Sequence, residues 1–277
     1  MKVRNRLKRT FHTGVQKFLW HSGLGSLHDV SLLSYVGVES KNSPNPLTQK
    51  FESYFSQSDE DGVIQSIFER LNVETGRCVE FGVGNGGENN TLNLLLNGWE
   101  THWFGGEELN LDRNTSLPLA LTYEKVWIDQ SVLRERIIPQ LTKLGKIDLL
   151  SLDLDGNDFY FASVLLECGI KPSVWVQEYN GNFSPNTKWV QAYSDNHTWN
   201  EDIYFGASLR SYDELFTKHG YTLVACNLMG INAFFVRNDF IFYFDDVPKE
   251  LSILFRPART FYFKMRQNRS LKIFKSM

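Results

Sequence analysis

Apolar and polar positions along the chain switch between a helical period and short continuous runs. Val63, Ile64, Ile67, Phe68 and Leu71 recur at the spacing of one face of an amphipathic helix. Residues 77–81 then read as a short buried strand, followed by Gly82-Val83-Gly84-Asn85-Gly86-Gly87 and a helix over 91–96 that Gly98 ends. The rhythm repeats. Strands are predicted over 101–104 and 125–128, and a helical stretch ends at Leu144 with Gly145 as its C-cap. The apolar run 147–154 suits a central parallel strand buried on both faces. A helix over 159–167 closes at Gly169, residues 174–178 form a fifth strand, and 208–218 a helix with Leu209, Tyr212, Leu215 and Phe216 inward. Such alternation specifies a parallel sheet with helices on both sides. The last two runs, 221–226 and 231–236, are separated only by Asn227-Leu228-Met229-Gly230, too short for a crossover helix, so they pair antiparallel. The predicted architecture is a Rossmann-like three-layer α/β sandwich, a mostly parallel seven-stranded sheet ending in an antiparallel hairpin.

The flanks divide the chain into a basic N-terminal helical extension and connector (1–60), a core (61–247) and a basic, aromatic C-terminal extension (248–277). Asn42-Ser43-Pro44-Asn45-Pro46 heads the connector. All 32 Asp and Glu lie between Asp29 and Glu250, whereas six basic residues precede Asp29 and seven follow Glu250. Basic ends on an acidic core suit either peripheral contact with an anionic membrane, at about 1 kcal/mol per basic residue, or tails that are solvated or pair with the core. An acidic core repels phosphates, and no Asp/Asn-Pro-Pro-aromatic motif occurs, so no nucleic-acid partner is expected. With no apolar run of about 20 residues and no secretory leader pattern, a cytoplasmic location is expected. Cys78, Cys168 and Cys226 have no paired spacing and read as buried reduced thiols.

Candidate chemistry begins at the first strand-turn-helix. Gly82, Gly84, Asn85 and Gly86 stand where the backbone must turn tightly and approach a ligand at the carboxyl end of the sheet. The glycines fit a nicotinamide dinucleotide and S-adenosyl-L-methionine equally. Glu80, two residues earlier, favours the second, because a carboxylate there can hold a cationic amino-acid end and repels a pyrophosphate. Glu107, 21 residues beyond Gly86, is placed to grip a ribose diol, with Glu108 as the fallback. Asp129 is a candidate for the adenine amino group and Trp127 or Ile128 for its face, while a helix N-cap at Asp129 or Ser131 explains the same residues.

The fourth strand runs into Asp153-Leu154-Asp155-Gly156-Asn157-Asp158 and the fifth into Glu178-Tyr179-Asn180. Acids ending an apolar strand point to a ligand crevice. Asp153 is a cofactor candidate, and Asp155 and Glu178 are candidate bases. Together Asp153, Asp155, Glu178 and Asn180 are candidate ligands of a Mg²⁺ that orients two substrate hydroxyls. The alternative for 155–158 is a turn and a helix N-cap. The long segment 181–204 carries Trp189, Tyr193, His197, Trp199 and Tyr204 without periodicity, as in a lid or sugar-stacking loop, with His197 a further candidate base. The same aromatics also suit a local mini-core with His197 on the surface.

From Arg77 to Phe240 the chain resembles FkbM-type and related class I methyltransferases. The resemblance rests on Val79-Glu80-Phe81-Gly82-Val83-Gly84-Asn85-Gly86, on the fourth-strand run through Asp158, on Gln177-Glu178-Tyr179-Asn180, on Tyr204-Phe205-Gly206-Ala207-Ser208 and on Asn232-Ala233-Phe234-Phe235-Val236-Arg237. The family shows an aspartate, one residue, then glutamate-glycine at the fourth strand. Here Asp155 stands in the glutamate's place. The resemblance implies methyl transfer to a hydroxyl of a small molecule or glycan acceptor. The alternatives are an NAD(P)-dependent oxidoreductase on the same turn and a non-catalytic protein of this fold that binds a membrane or assembly partner.

Overall fold

In the computed structural model, residues 34–109, 120–200 and 202–259 are described. The basic stretches 1–33 and 260–277 lie outside them. The main elements are α1 (Glu60–Leu71), β1 (Arg77–Phe81), α2 (Leu92–Leu96), β2 (Glu100–Gly105), β3 (Leu121–Lys125), a helix α3 built from Gln130–Val132, a π-helical turn Leu133–Ile137 and Ile138–Leu144, β4 (Leu149–Leu152), α4 (Asp158–Glu167), β5 (Val174–Glu178), α5 (Leu209–Lys218), β6 (Tyr221–Cys226), β7 (Asn232–Arg237) and α6 (Leu251–Leu254). The π turn precedes Pro139, which has no N–H to continue an ordinary helical ladder.

The strands form one sheet in the order β3-β2-β1-β4-β5-β7-β6. All pairs up to β5 are parallel, and β7 pairs antiparallel with both β5 and β6. This order inserts the last strand between β5 and β6, which separates the fold from the 3-2-1-4-5-6 order of dinucleotide dehydrogenases. β4 and β5 are buried at every position, including the polar Ser151, Gln177 and Glu178, as befits central strands covered on both faces. On the hairpin side Trp175, Phe216, Tyr221 and Phe235 interlock, with Phe216 stacked on Phe235 at 4.2 Å.

Three expectations change. The third strand covers 121–125 rather than 125–128: it is an edge strand whose residues are only partly covered, so it lacks the apolar run that marks a buried strand. The apolar residues Val126, Trp127 and Ile128 lie beyond its end and line a cavity. The fourth strand ends at Leu152, so Asp153 and Asp155 belong to a loop. Cys78 and Cys226 are buried free thiols, but Cys168 is exposed just past α4.

The segment before α1 docks on the hairpin. Asn45 Nδ2 donates to the Val224 carbonyl at 2.7 Å, the Asp59 carboxylate accepts from Leu228 N–H at 3.0 Å, and Glu60 Oε1 accepts from the side chains of Asn227 and Asn232 at 2.7 and 3.1 Å. Both acids are buried. Among the described residues no helix is long and apolar enough to cross a membrane.

Candidate active site

The sheet reverses direction of growth between β1 and β4, and in open α/β sheets ligands bind outside the carboxyl ends of the strands at such a point. Gly82 follows β1 and Asp153 follows β4, and the Asp153 N–H donates to the Phe81 carbonyl across the gap at 3.3 Å. Gly82 has φ +85°, and a Cβ there would fall 1.4 Å from the Asp153 carbonyl oxygen, so the two strand ends meet only because residue 82 has no side chain.

Two cavities open at this point. The first, about 250 Å³, is lined by Gly82 and Gly84, by Glu107 beyond β2, by Val126, Trp127 and Ile128 beyond β3, and by the loop after β4. The second, about 330 Å³, is lined by Glu178 at the end of β5, by Asn182 beyond it and by Trp199, Phe205, Ile231 and Ala258. Gly82, Asp153 and Asp155 belong to both and form their common wall. A further cleft, about 710 Å³, lies between α1 and α2 and contains none of the glycine turn.

The expected residues fall into distinct places. Gly82, Gly84, Glu107, Asp153, Asp155 and His197 line the first cavity. Glu107 is exposed there, and its carbonyl accepts from the Tyr123 hydroxyl. The fallback Glu108 instead pairs with Lys125 at 2.5 Å. Glu80 does not line either cavity. Its carboxylate accepts from the Asn90 and Thr91 N–H groups at 2.8 and 3.0 Å and from the Thr91 hydroxyl at 2.5 Å, so it shapes the loop ahead of α2. Burial pushes its carboxyl up to about 7, opposed by those donors. Asn85 and Gly86 are not among the residues that line the cavity; Asn85 Oδ1 accepts from the Gly87 N–H and the Gly86 N–H donates to the Val83 carbonyl. Asp129 caps α3, its Oδ1 accepting from the Val132 N–H at 2.8 Å, and is not in the cavity.

Asn180 is removed from the candidate metal ligands. It is fully buried, its Nδ2 donates to the Ile203 and Phe205 carbonyls, and its Oδ1 accepts from both the backbone and side chain of Asn182. It ties β5 to the loop that follows. Asp153, Asp155 and Glu178 do converge. His197 sits on the first cavity with Nε2 3.1 Å from the Asp155 carbonyl. A carbonyl only accepts, so Nε2 is the donor in this contact. The loop aromatics divide: Trp189 is buried, stacked on Phe183 at 4.5 Å, whereas Trp199 reaches the second cavity.

Sequence reasoning placed no function on Asn157, Asp158 or Asp195. Asp158 holds the loop that carries the acids: its two oxygens accept from Leu154 N–H at 2.7 Å and Gly156 N–H at 2.8 Å. Asn157 grips the aromatic loop through the Ser194 carbonyl and N–H at 2.7 and 3.3 Å. The signal for Asp158 was the acid at the first turn of α4, which reads equally as a cap. For Asp195, which lines the first cavity and accepts from the Tyr193 hydroxyl at 2.6 Å, no periodic or motif signal exists. Asp158→Ala leaves two donors unpaired beside the shared wall. We expect a loss of about 2–4 kcal/mol, measured by denaturant unfolding. Unchanged stability would mean that the loop is held otherwise.

The fold is thus a Rossmann-like α/β sandwich whose crevice carries a glycine turn, an acid beyond β2 and a cluster of acids beyond β4 and β5. No protein-family model matches the chain, and no curated protein does. Solved structures similar to it include the N-terminal domain of EvdMO1 with SAH bound, at 15% identity over 66% of this chain and 80% of that chain with a TM-score of 0.41. A hemolysin-named protein from Streptococcus thermophilus is 12% identical over 69% of this chain and 70% of its own, with a TM-score of 0.37. Another from Lactococcus lactis is 12% identical over 62% and 84%, with a TM-score of 0.39.

Proposed function

We propose that this protein is an S-adenosylmethionine-dependent O-methyltransferase acting on a hydroxyl of a sugar or glycan precursor, as its resemblance to FkbM-type enzymes implies. The observation that carries the reading is the common wall of the two cavities: a donor in one and an acceptor in the other would meet at Gly82, Asp153 and Asp155. The residues of the first cavity suit the cofactor. Glu107 offers a carboxylate to a ribose diol, Trp127 and Ile128 offer apolar faces to a purine, and Gly82 and Gly84 let the backbone approach.

The cofactor, when bound, supplies a methyl group activated on a sulfonium. The chain holds the acceptor hydroxyl in line with that methyl group, and positioning of this kind supplies much of the rate. Asp155 is the base in this reading because it faces both cavities. Asp155 would take the proton that the acceptor hydroxyl gives up on methylation. Burial and the neighbouring acids hold the Asp153 and Glu178 carboxyls well above the usual range, which favours a shared proton there. His197 serves the cofactor side, since it lines that cavity and not the other. Contact of the basic ends with an anionic membrane belongs to the same reading. Arg259 lies over the Tyr35 ring at 5.8 Å, so both ends leave the described core from one place, beside Ala258 at the acceptor cavity.

Calorimetric titration with S-adenosylhomocysteine and, separately, NADH tests the assignment. Micromolar binding of the first alone is expected, weakened about tenfold or more in Trp127→Ala and in Glu107→Ala, a loss of about 1.4 kcal/mol or more. Binding of NADH instead would turn the reading to an oxidoreductase, and binding of neither would favour a non-catalytic role.

A further inference from the structure

The cleft between α1 and α2 has no part in the reading above, and its lining is of one electrical kind. Its charged residues are Asp61, Glu69 and Glu74, and among the described residues no lysine, arginine or histidine lines it. Three carboxamides there give their N–H groups to the protein. Gln65 Nε2 donates to Glu69 Oε1 at 2.9 Å, Asn90 Nδ2 to Ser151 Oγ at 3.0 Å and Asn97 Nδ2 to the Asn93 carbonyl at 2.7 Å. That leaves their oxygens, and an amide oxygen only accepts. Asp61 completes the pattern. It is 2% exposed, and its Oδ2 accepts from the N–H groups of Tyr54, Phe55 and Ser56 at 2.7, 2.9 and 3.0 Å. Its Oδ1 is buried without a hydrogen bond to any described residue. Buried carboxylate oxygens are normally bonded, so this atom calls for a donor.

We propose that this cleft is a binding site for an aliphatic polyamine, separate from the two cavities at the strand ends. The proposal does not rest on the methyltransferase reading. Spacing along α1 supports it. Asp61 and Glu69 stand eight residues apart, about 12 Å along the axis at 1.5 Å per residue, and Gln65 lies midway on the same face. Ile64 and Phe68 fall between them in the chain and also line the cleft, and Leu94 of α2 adds apolar surface from the other side. Acceptors at both ends and in the middle of an apolar strip match a chain that alternates ammonium groups with methylenes. Extended spermidine spans a comparable length, with its nitrogens beside the oxygens and its carbons on Ile64, Phe68 and Leu94.

Charge selects the ligand further. A phosphate or carboxylate would meet three acids and no cation, and like charges brought together disfavour the wrong partner. A protonated amine meets the acids and can also lie against the exposed Tyr54 ring at the rim. The polar groups are held in place before a ligand arrives. The Asn90 N–H donates to Glu80 Oε1 of β1 at 2.8 Å while its side chain binds Ser151 of β4, so two central strands fix it. Asp61 is fixed by the three N–H groups that Oδ2 accepts. Binding then costs little ordering of the protein, and the ordering falls on the ligand.

The test is isothermal titration of the full-length protein with spermidine, with octanediol as a neutral chain of similar length and S-adenosylhomocysteine titrated in parallel. Four variants locate the binding, and circular dichroism confirms their folding. Gln65→Lys puts an ammonium of the chain's own in the middle of the cleft. Asp61→Asn and Glu69→Gln each remove one of its charges, and Glu135→Gln removes the same charge from an exposed position on α3 outside it. We expect one spermidine site per chain and no octanediol binding. Affinity should fall about tenfold or more in Asp61→Asn and about two- to fivefold in Glu69→Gln. It should vanish in Gln65→Lys and hold in Glu135→Gln. Asp61 also ties down residues 54–56, so if its variant misfolds, Gln65→Lys and Glu69→Gln, both on partly or fully exposed residues, decide the matter. Absence of saturable spermidine binding, or equal binding of octanediol, overturns the site. So does binding that persists in Gln65→Lys or falls as much in Glu135→Gln as in Glu69→Gln, since the polyamine then sits elsewhere on an acidic protein. Spermidine binding that Gln65→Lys abolishes upholds the site even in a protein that never binds S-adenosylhomocysteine. S-adenosylhomocysteine binding without spermidine binding refutes the site and leaves the methyltransferase reading standing.

Discussion

Gly82→Ala is expected to lose S-adenosylhomocysteine binding and about 2–5 kcal/mol of stability. Two terms add. An alanine at φ +85° pays the left-handed penalty, about 1–2 kcal/mol. Its Cβ would also overlap the Asp153 carbonyl oxygen at 1.4 Å, and the neighbour is backbone, which cannot rotate away, so overpacking adds about 1–3 kcal/mol. Relief requires the ends of β1 and β4 to part, and that movement opens the wall shared by both cavities. Gly84→Ala is the control. Its φ is +51°, but nothing lies within 4 Å of the added carbon, so only the conformational penalty of about 1–2 kcal/mol applies. Thermal unfolding and calorimetric titration of the two variants separate the terms. Equal losses would show that conformation, not the contact with Asp153, dominates at residue 82.

The second large effect is on pH. Unfolded, Glu80 titrates near 4.5; folded, burial raises it to about 7. Between those values the folded state binds more protons than the unfolded state, so stability falls as pH rises through this window. Asp59 and Glu60 act in the same direction, both raised chiefly by burial and Glu60 also by the charge of Asp59. At pH 8 the ionised Glu80 alone costs the folded state on the order of 3 kcal/mol relative to pH 4. The exposed acids that arginines, a lysine or His102 hold low, Glu100, Glu214 and Asp246, oppose this only at more acidic pH, because their contribution is lost as pH falls through their lowered values. The melting temperature is therefore expected to be higher at pH 5.5 than at pH 8, at about 2–4 °C for each kcal/mol, with Glu80→Gln flattening the dependence. Scanning calorimetry at constant ionic strength reads this directly. A melting temperature that rises with pH would mean that cations compensate the buried acids.

How much of this was legible beforehand follows from the range of each interaction. Hydrophobic period and turn chemistry act within a few residues. The sequence therefore determined β1, β5 and β6 to the residue, the glycine ends of the helices and the antiparallel finish of the sheet, which a turn of only five residues makes unavoidable. It also determined that acids stand at the carboxyl ends of β4 and β5, since strand direction is set by the parallel alternation.

Only the tertiary structure decided which of those acids meet. Asn180 and Glu178 are two residues apart at the same strand end, yet one is consumed by the Ile203 and Phe205 carbonyls and the other turns to Asp153 and Asp155. Glu80 and Asp129 look like ligands in the chain because carboxylates that accept backbone N–H groups and carboxylates that face a cofactor have the same local pattern. They differ only in whether a helix start folds onto them. Val126, Trp127 and Ile128 imitate a strand because an apolar cavity wall and a buried strand ask for the same side chains. Short-range patterns wrote the scaffold, and contacts between residues distant in the chain selected the site, because a side chain's partner across a crevice leaves no mark on its immediate neighbours.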